Sequence, residues 1–262
     1  MSASEPNCVI ADLREDGQLL HLTLNAPKAN ILDSRMLAGI GDALDRHAQG
    51  KALKAIAFEG EGKHFCFGAS VEEHQADQAA AMLETFHGLF RRLSALAIPT
   101  AAIVRGQCLG GGLELAAYCS WIFANPSAHF GQPEIKLAVF PPMASILLPW
   151  RLGGGRGLDL CVSGRSIDAE EAERIGLIHS VADDPTSEFE AFFAENIKGL
   201  SASSLRIAER AVRMPLARSL ELDLPQLEKL YIEDLMQTHD ATEGITAFLE
   251  KRAPRFSADA VN

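Results

Sequence analysis

The chain contains no apolar run long enough to cross a bilayer. Its longest apolar stretches, such as MASILLPW at 143–150, stop far short of the roughly 20 residues a spanning helix needs. The opening stretch, MSASEPNCVIADLRED, has neither a basic n-region nor an apolar h-region, so no secretory leader is expected. Positive charge is scarce: 24 Lys and Arg stand against 35 Asp and Glu, a net charge of −11. That balance argues against nucleic acid as a main partner and against an anionic membrane surface, because both call for a basic face. An acidic protein can still hold a small polyanion locally, through helix N-termini, free backbone N–H groups and a few placed cations. No CxxC pair occurs, and the five cysteines (Cys8, Cys66, Cys108, Cys119, Cys161) are odd in number. Reduced, buried thiols in a cytoplasmic protein are expected. His21, His47, His64, His129, His179 and His239 form no ligand-spaced cluster, so no metal is expected. There is no fixed-period repeat and no low-complexity linker.

What is present is ordinary globular material: 262 residues, 47% hydrophobic and 23% charged, enough for one large domain or a domain with an appendage. Residues 8–12 and 19–24 (LLHLTL) show strand-type alternation. Asp33 is placed to cap a helix running to about His47, with Met36, Leu37, Ile40 and Leu44 on one face. Short apolar runs at 55–58, 100–104 and 121–124 read as buried strands, and 75–96 as a helix. Strands alternating with helices imply an α/β fold. After about residue 200 no strand-like segment follows. Ser201 or Ser203 can cap a helix, Pro225 marks another start, and 241–252 is helical. The division expected is a core over 1–200 and a helical subdomain over 201–262.

Three segments carry chemistry. In GQCLGGGLE (106–114), three glycines open an apolar helix. Glycine permits a tight turn and lets a ligand approach bare N–H groups, at the positive end of the helix dipole. Such a place suits an oxygen that becomes negative during reaction; the same glycines would also serve a plain strand-to-helix turn. In HFCFGASVEEH (64–74), Ser70 to Glu73 reads as a capping box, S-x-x-E, at a helix start. The Ala69 N–H there is a candidate second donor. In FGQPEIKLAV (130–139), Glu134 follows a proline in a glycine-marked loop, a position from which scaffolds present catalytic groups and from which a carboxylate can equally face solvent.

Taken together with PKAN at 27–30, GRSIDAEEAERIGLI at 164–178 and EGITAFLEKRAPRF at 243–256, these segments resemble the crotonase (enoyl-CoA hydratase/isomerase) superfamily over nearly the whole chain. The resemblance implies a ββα spiral core with a C-terminal helical trimerisation subdomain, and a homotrimer or a dimer of trimers. It implies an oxyanion hole from the N–H groups of Ala69 and Gly111, and an acid–base pair in Glu114 and Glu134. Lys28, Ala29, Ser70 and Val71 would lie along coenzyme A, which is part of the substrate, and no separate cofactor is implied. Phe248 and Lys251 would reach the coenzyme of a neighbouring subunit. His74, Met82, Phe86 and His87 would shape the acyl pocket.

Two departures stand out. Ser70 replaces the usual Asp after the oxyanion Ala. Phe140-Pro141-Pro142-Met143 replaces a glycine-rich run, so the wall formed by Phe140 and Pro141 must differ from that of ordinary hydratases. FGASVEEH, GQCLGGGLE, FGQPEIKLAVF and LSASSLRIA are similar to one branch of the family, whose substrate is a cyclic conjugated dienoyl-CoA of anaerobic benzoyl-CoA breakdown. An ordinary short-chain enoyl-CoA hydratase or isomerase is the alternative. A non-catalytic RNA-binding relative is a third, which the acidic balance and the two glutamates disfavour.

Overall fold

A computed structural model of the chain describes residues 7–26, 28–75 and 78–257. In chain order it runs β1 (Val9–Arg14), β2 (Leu19–Leu24), α1 (Ser34–His47), β3 (Ala55–Gly60), α2 (Ala79–Leu96), β4 (Thr100–Val104), β5 (Gln107–Leu109), α3 (Gly111–Tyr118), β6 (Trp121–Ala124) and β7 (His129–Gly131). There follow α4 (Pro142–Leu152), α5 (Gly154–Ser163), β8 (Ser166–Asp168), α6 (Ala169–Arg174), β9 (Ser180–Val181) and α7 (Pro185–Asn196). From there each described element is helical: α8 (Ala202–Val212), α9 (Met214–Leu222), α10 (Leu224–Lys229) and α11 (His239–Leu249), with a π-helical turn at Leu230–Asp234.

The larger sheet has the order β1-β2-β3-β4-β6-β9 and the smaller β5-β7-β8. Pairing is parallel except for the β1–β2 hairpin and the β7–β8 pair. Strand β4 (TAAIV) is buried at every position, as a parallel strand covered on both faces must be. Helix α1 starts where the sequence places it: the Asp33 carboxylate accepts from the Met36 N–H at 2.8 Å, satisfying one of the open donors of the first turn. Met36, Leu37, Ile40 and Leu44 are its buried face. Among the described residues no helix is long and apolar enough to cross a membrane.

The smaller sheet aligns the two glycine-bearing segments. The Cys66 N–H donates to Gln107 O and the Leu109 N–H to Cys66 O, both at 3.0 Å. This extended pairing lays residues 66–69 beside 107–111. Gly112 then has to be glycine, because a Cβ there would lie 2.7 Å from Cys66 Cβ.

The capping box at Ser70 does not form. Residues Glu72–His74 make a short 3₁₀ turn whose start has no side-chain cap, and α2 starts only at Ala79. The Glu73 carboxylate instead accepts from the Ser34 N–H at 3.2 Å and the Ser34 hydroxyl at 2.6 Å. The open amides and positive dipole end of α1 outcompete a local cap for that charge. Ala76 and Asp77, inside the helix expected over 75–96, and Pro27 of the PKAN segment lie outside the described residues.

Candidate active site

Gly110 turns the chain from β5 into α3 with φ +52°, a conformation that L side chains rarely adopt. All eight residues of α3 are buried, so its C-terminal carbonyls need partners. Arg151 donates to Ala117 O (3.2 Å) and Cys119 O (2.7 Å), and Arg213, on the turn between α8 and α9, donates to Tyr118 O at 2.6 Å. Two cations at the negative end of the dipole hold the helix that carries Glu114.

At the other end of α3, Gly111 lies against the Ala69 amide. A Cβ built on Gly111 would lie 3.0 Å from Ala69 N, and one built on Gly68 would lie 3.4 Å from Gly111 N. Neither amide donates to an acceptor among the described residues. Two adjacent, unengaged donors are what the expected oxyanion hole requires.

Glu114, one turn into α3, is 4% exposed, and its Oε1 accepts from the Ala144 N–H at 2.7 Å. Burial pushes its carboxyl up to about 7, while hydrogen bonds from the Ala144 and Met143 N–H groups, in the first turn of α4, oppose the rise. Glu134 lies in a 3₁₀ turn, Pro133–Leu137, that follows β7. Burial raises its carboxyl well above the ordinary range, and the charge of Glu114 raises it further. One polar atom of the buried Gln132 amide lies 2.9 and 3.1 Å from the two Glu134 oxygens, where the nitrogen donates to the carboxylate. Turned over, the same amide would accept from the protonated acid, so Gln132 can serve either state.

Glu114, Glu134, Ala69 and Gly111 line one cavity of about 80 Å³. Val71 and His74 line it from the 3₁₀ turn region, Met82, Phe86 and His87 from α2, and Phe140 and Pro141 from the segment before α4. The structure thus brings together the expected acid–base pair, oxyanion donors and acyl-pocket residues. The His74 Nδ1 bonds to Ser70 O at 2.6 Å, and burial lowers the His74 pKa, which favours neutral imidazole.

Lys28, Ala29 and Ser70 do not line this cavity. Lys28 is exposed with φ +94°, and Ala29 O accepts from the Phe67 N–H at 2.9 Å, tying its loop to the oxyanion segment. Phe248 and Lys251 are exposed at the end of α11, also outside the cavity. The loop is clamped by a residue whose role the sequence reading missed: Asn30, 1% exposed, donates to Glu61 O (3.0 Å) and His64 O (2.9 Å). Also missed were Gln132 and Tyr231, the latter lining the cavity from the π turn. Tyr231 packs on Phe140 with ring centroids 5.5 Å apart. A tyrosine within an otherwise apolar and charged helical stretch was the available signal, for the chain has only two.

Comparison with known proteins identifies the family. Residues 14–259 match the family model described as "Enoyl-CoA hydratase/isomerase". The chain is 52% identical over 92% of its length and 93% of the relative's to a cyclohexa-1,5-dienecarbonyl-CoA hydratase of Thauera aromatica. It is 40% identical to a probable enoyl-CoA hydratase, echA8, of Mycobacterium bovis, over 90% of this chain and 93% of that protein. A crystal structure of an enoyl-CoA hydratase from Mycobacterium avium superposes with a TM-score of 0.84 at 25% identity, covering 95% of this chain and 98% of that one. With a shared fold, a family match over nearly its whole length and relatives named for hydration of enoyl thioesters, the chain is a hydro-lyase belonging to the enoyl-CoA hydratase/isomerase family.

Proposed function

We propose that this enzyme adds water to cyclohexa-1,5-diene-1-carbonyl-CoA and forms 6-hydroxycyclohex-1-ene-1-carbonyl-CoA, a step in anaerobic benzoyl-CoA breakdown. The observation that carries the chemistry is the convergence of two carboxyl groups, buried Glu114 and half-buried Glu134, on a cavity that Ala69 and Gly111 also line. The cyclic substrate is supported by the 52% identity to the Thauera enzyme, and by the rigid Phe140-Pro141 wall where ordinary hydratases have glycines.

The thioester oxygen binds the two amides. Conjugation makes the ring carbon β to the thioester electrophilic, and negative charge then builds on the oxygen, where preorganised donors meet it. The two carboxyls divide the proton work because their surroundings differ. Two N–H groups of α4 favour the charged form of Glu114, which acts as the base for water. Glu134, which has a single backbone donor, its own N–H, against the two at Glu114, and which has Glu114 as a negative neighbour, is the protonated partner. Coenzyme A arrives as part of the substrate, and the reaction calls for no cofactor or metal.

The test is to incubate the enzyme separately with the cyclic dienoyl-CoA and with crotonyl-CoA, and identify products by mass spectrometry and NMR. Faster hydration of the ring substrate is expected. Preference for crotonyl-CoA would make the enzyme an ordinary short-chain hydratase.

A further inference from the structure

The acyl cavity has two polar atoms with no hydrogen-bond partner among the described residues, His87 Nε2 and Tyr231 Oη. Both side chains line the cavity and both are buried. A hydrocarbon ring satisfies neither. His87 is held from behind: its Nδ1 bonds to the Glu228 carboxylate at 2.7 Å, and Arg91 donates to the same oxygen at 2.8 Å. A carboxylate that fixes one imidazole nitrogen, and leaves the other unpartnered in a side chain that lines the reacting space, is the arrangement of a proton-transfer histidine.

We propose that His87, aimed by Glu228, is the acid that protonates the distal end of the diene and so selects 1,4- over 1,2-addition of water. The inference rests on the cyclic-dienoyl reading above. Number the ring so that C1 carries the thioester and the double bonds are C1=C2 and C5=C6. Water loses a proton to Glu114 and its oxygen bonds to C2. The C1=C2 electron pair becomes a dienolate, with its charge shared by the thioester oxygen, C1 and C5. Protonation at C1 completes 1,2-addition. Protonation at C5 forms the C1=C6 double bond and completes 1,4-addition.

Glu134 is badly placed to choose C5. Its Oε1 is packed against the Gly110 turn, at 2.6 Å from the Cβ position there, next to the oxyanion amide of Gly111 and hence beside the thioester and C1. His87 belongs to another element, α2. In the protonated state its Nε2–H bond breaks, the proton goes to C5, and Nε2 keeps the electron pair. The proton taken up by Glu114 returns to Nε2 through solvent between turnovers. One water is consumed and no net proton.

The experiment follows label position in full-length enzyme given the cyclic dienoyl-CoA in deuterium oxide, with NMR of the product. Wild type places deuterium at C5. His87→Gln should form C5-labelled product about 100-fold more slowly, release C1-labelled product in its place, and keep KM within about threefold. Glu228→Gln should shift the label in the same direction by less, which keeps the test open if His87→Gln folds poorly. Exclusive C5 labelling by His87→Gln, at any rate, assigns the histidine a structural part and overturns the inference while leaving the hydratase reading intact. A wild-type enzyme inert toward the ring substrate overturns both.

Discussion

The Glu134 carboxyl oxygen lies 2.6 Å from the point that a Cβ on Gly110 would occupy. The turn that opens α3 and the Glu134 side chain therefore sit as they do because position 110 has no side chain.

Gly110→Ala should fail twice over. Its φ of +52° is strained for alanine, at a cost of about 1–3 kcal/mol, and the new methyl must displace Glu134. Thermal unfolding should show a lowered midpoint and steady-state kinetics a fall in kcat of about 100-fold or more. A wild-type kcat would mean that the position of Glu134 is immaterial.

Glu114→Gln should lower kcat with either substrate, and Glu134→Gln with crotonyl-CoA, by about 100- to 10,000-fold, because neither amide can take or give the proton; on the ring substrate the donor is His87. Calorimetry with coenzyme A should show affinity close to wild type. Near-normal turnover of crotonyl-CoA in either variant would refute the acid–base pair.

Acting as the base, Glu114 must be ionised, so kcat/KM should rise with pH through about 7 and fall again at higher pH, where the protonated acid is lost. Stability runs the other way. The folded-state carboxyl ionises near 7 and the ordinary value is 4.5, so the unfolded chain releases this proton first. The stability contribution is present below about 4.5 and lost as pH rises through about 7, on the order of 3 kcal/mol at most. Glu134, also raised, adds a loss of the same sign. Urea denaturation from pH 4 to 8 should show this fall in wild type and a shallower one in Glu114→Gln.

Tyr231→Phe removes a buried hydroxyl that has no partner among the described residues. The variant should be as stable as wild type or more stable by up to about 1 kcal/mol, since the desolvation penalty goes with the hydroxyl. A loss above that size, seen as a lower denaturation midpoint at unchanged slope, would reveal a hydrogen bond to this group.

Legibility followed distance along the chain. Asp33 and the α1 face were readable because cap and stripe lie within one helix. Ser70 misled for the same reason: its motif is complete locally, yet Glu73 is claimed by Ser34, 39 residues away. Tyr231 was missed because a π turn shifts it off the helical spacing that a pattern reading assumes. The Glu228 partner of His87 is 141 residues distant, and no spacing rule reaches that far.

By itself the amino-acid sequence determined the pieces: buried strands, amphipathic helices, a glycine turn with bare amides, and two glutamates in family motifs. Tertiary structure alone decided that these pieces share one cavity, which of the two carboxyls receives the amides of α4, and that an imidazole braced by a distant glutamate faces the same space. Backbone preference and apolar periodicity act over a few residues and so are written locally. Desolvation and charge coupling depend on which groups the completed fold brings together and closes off from water.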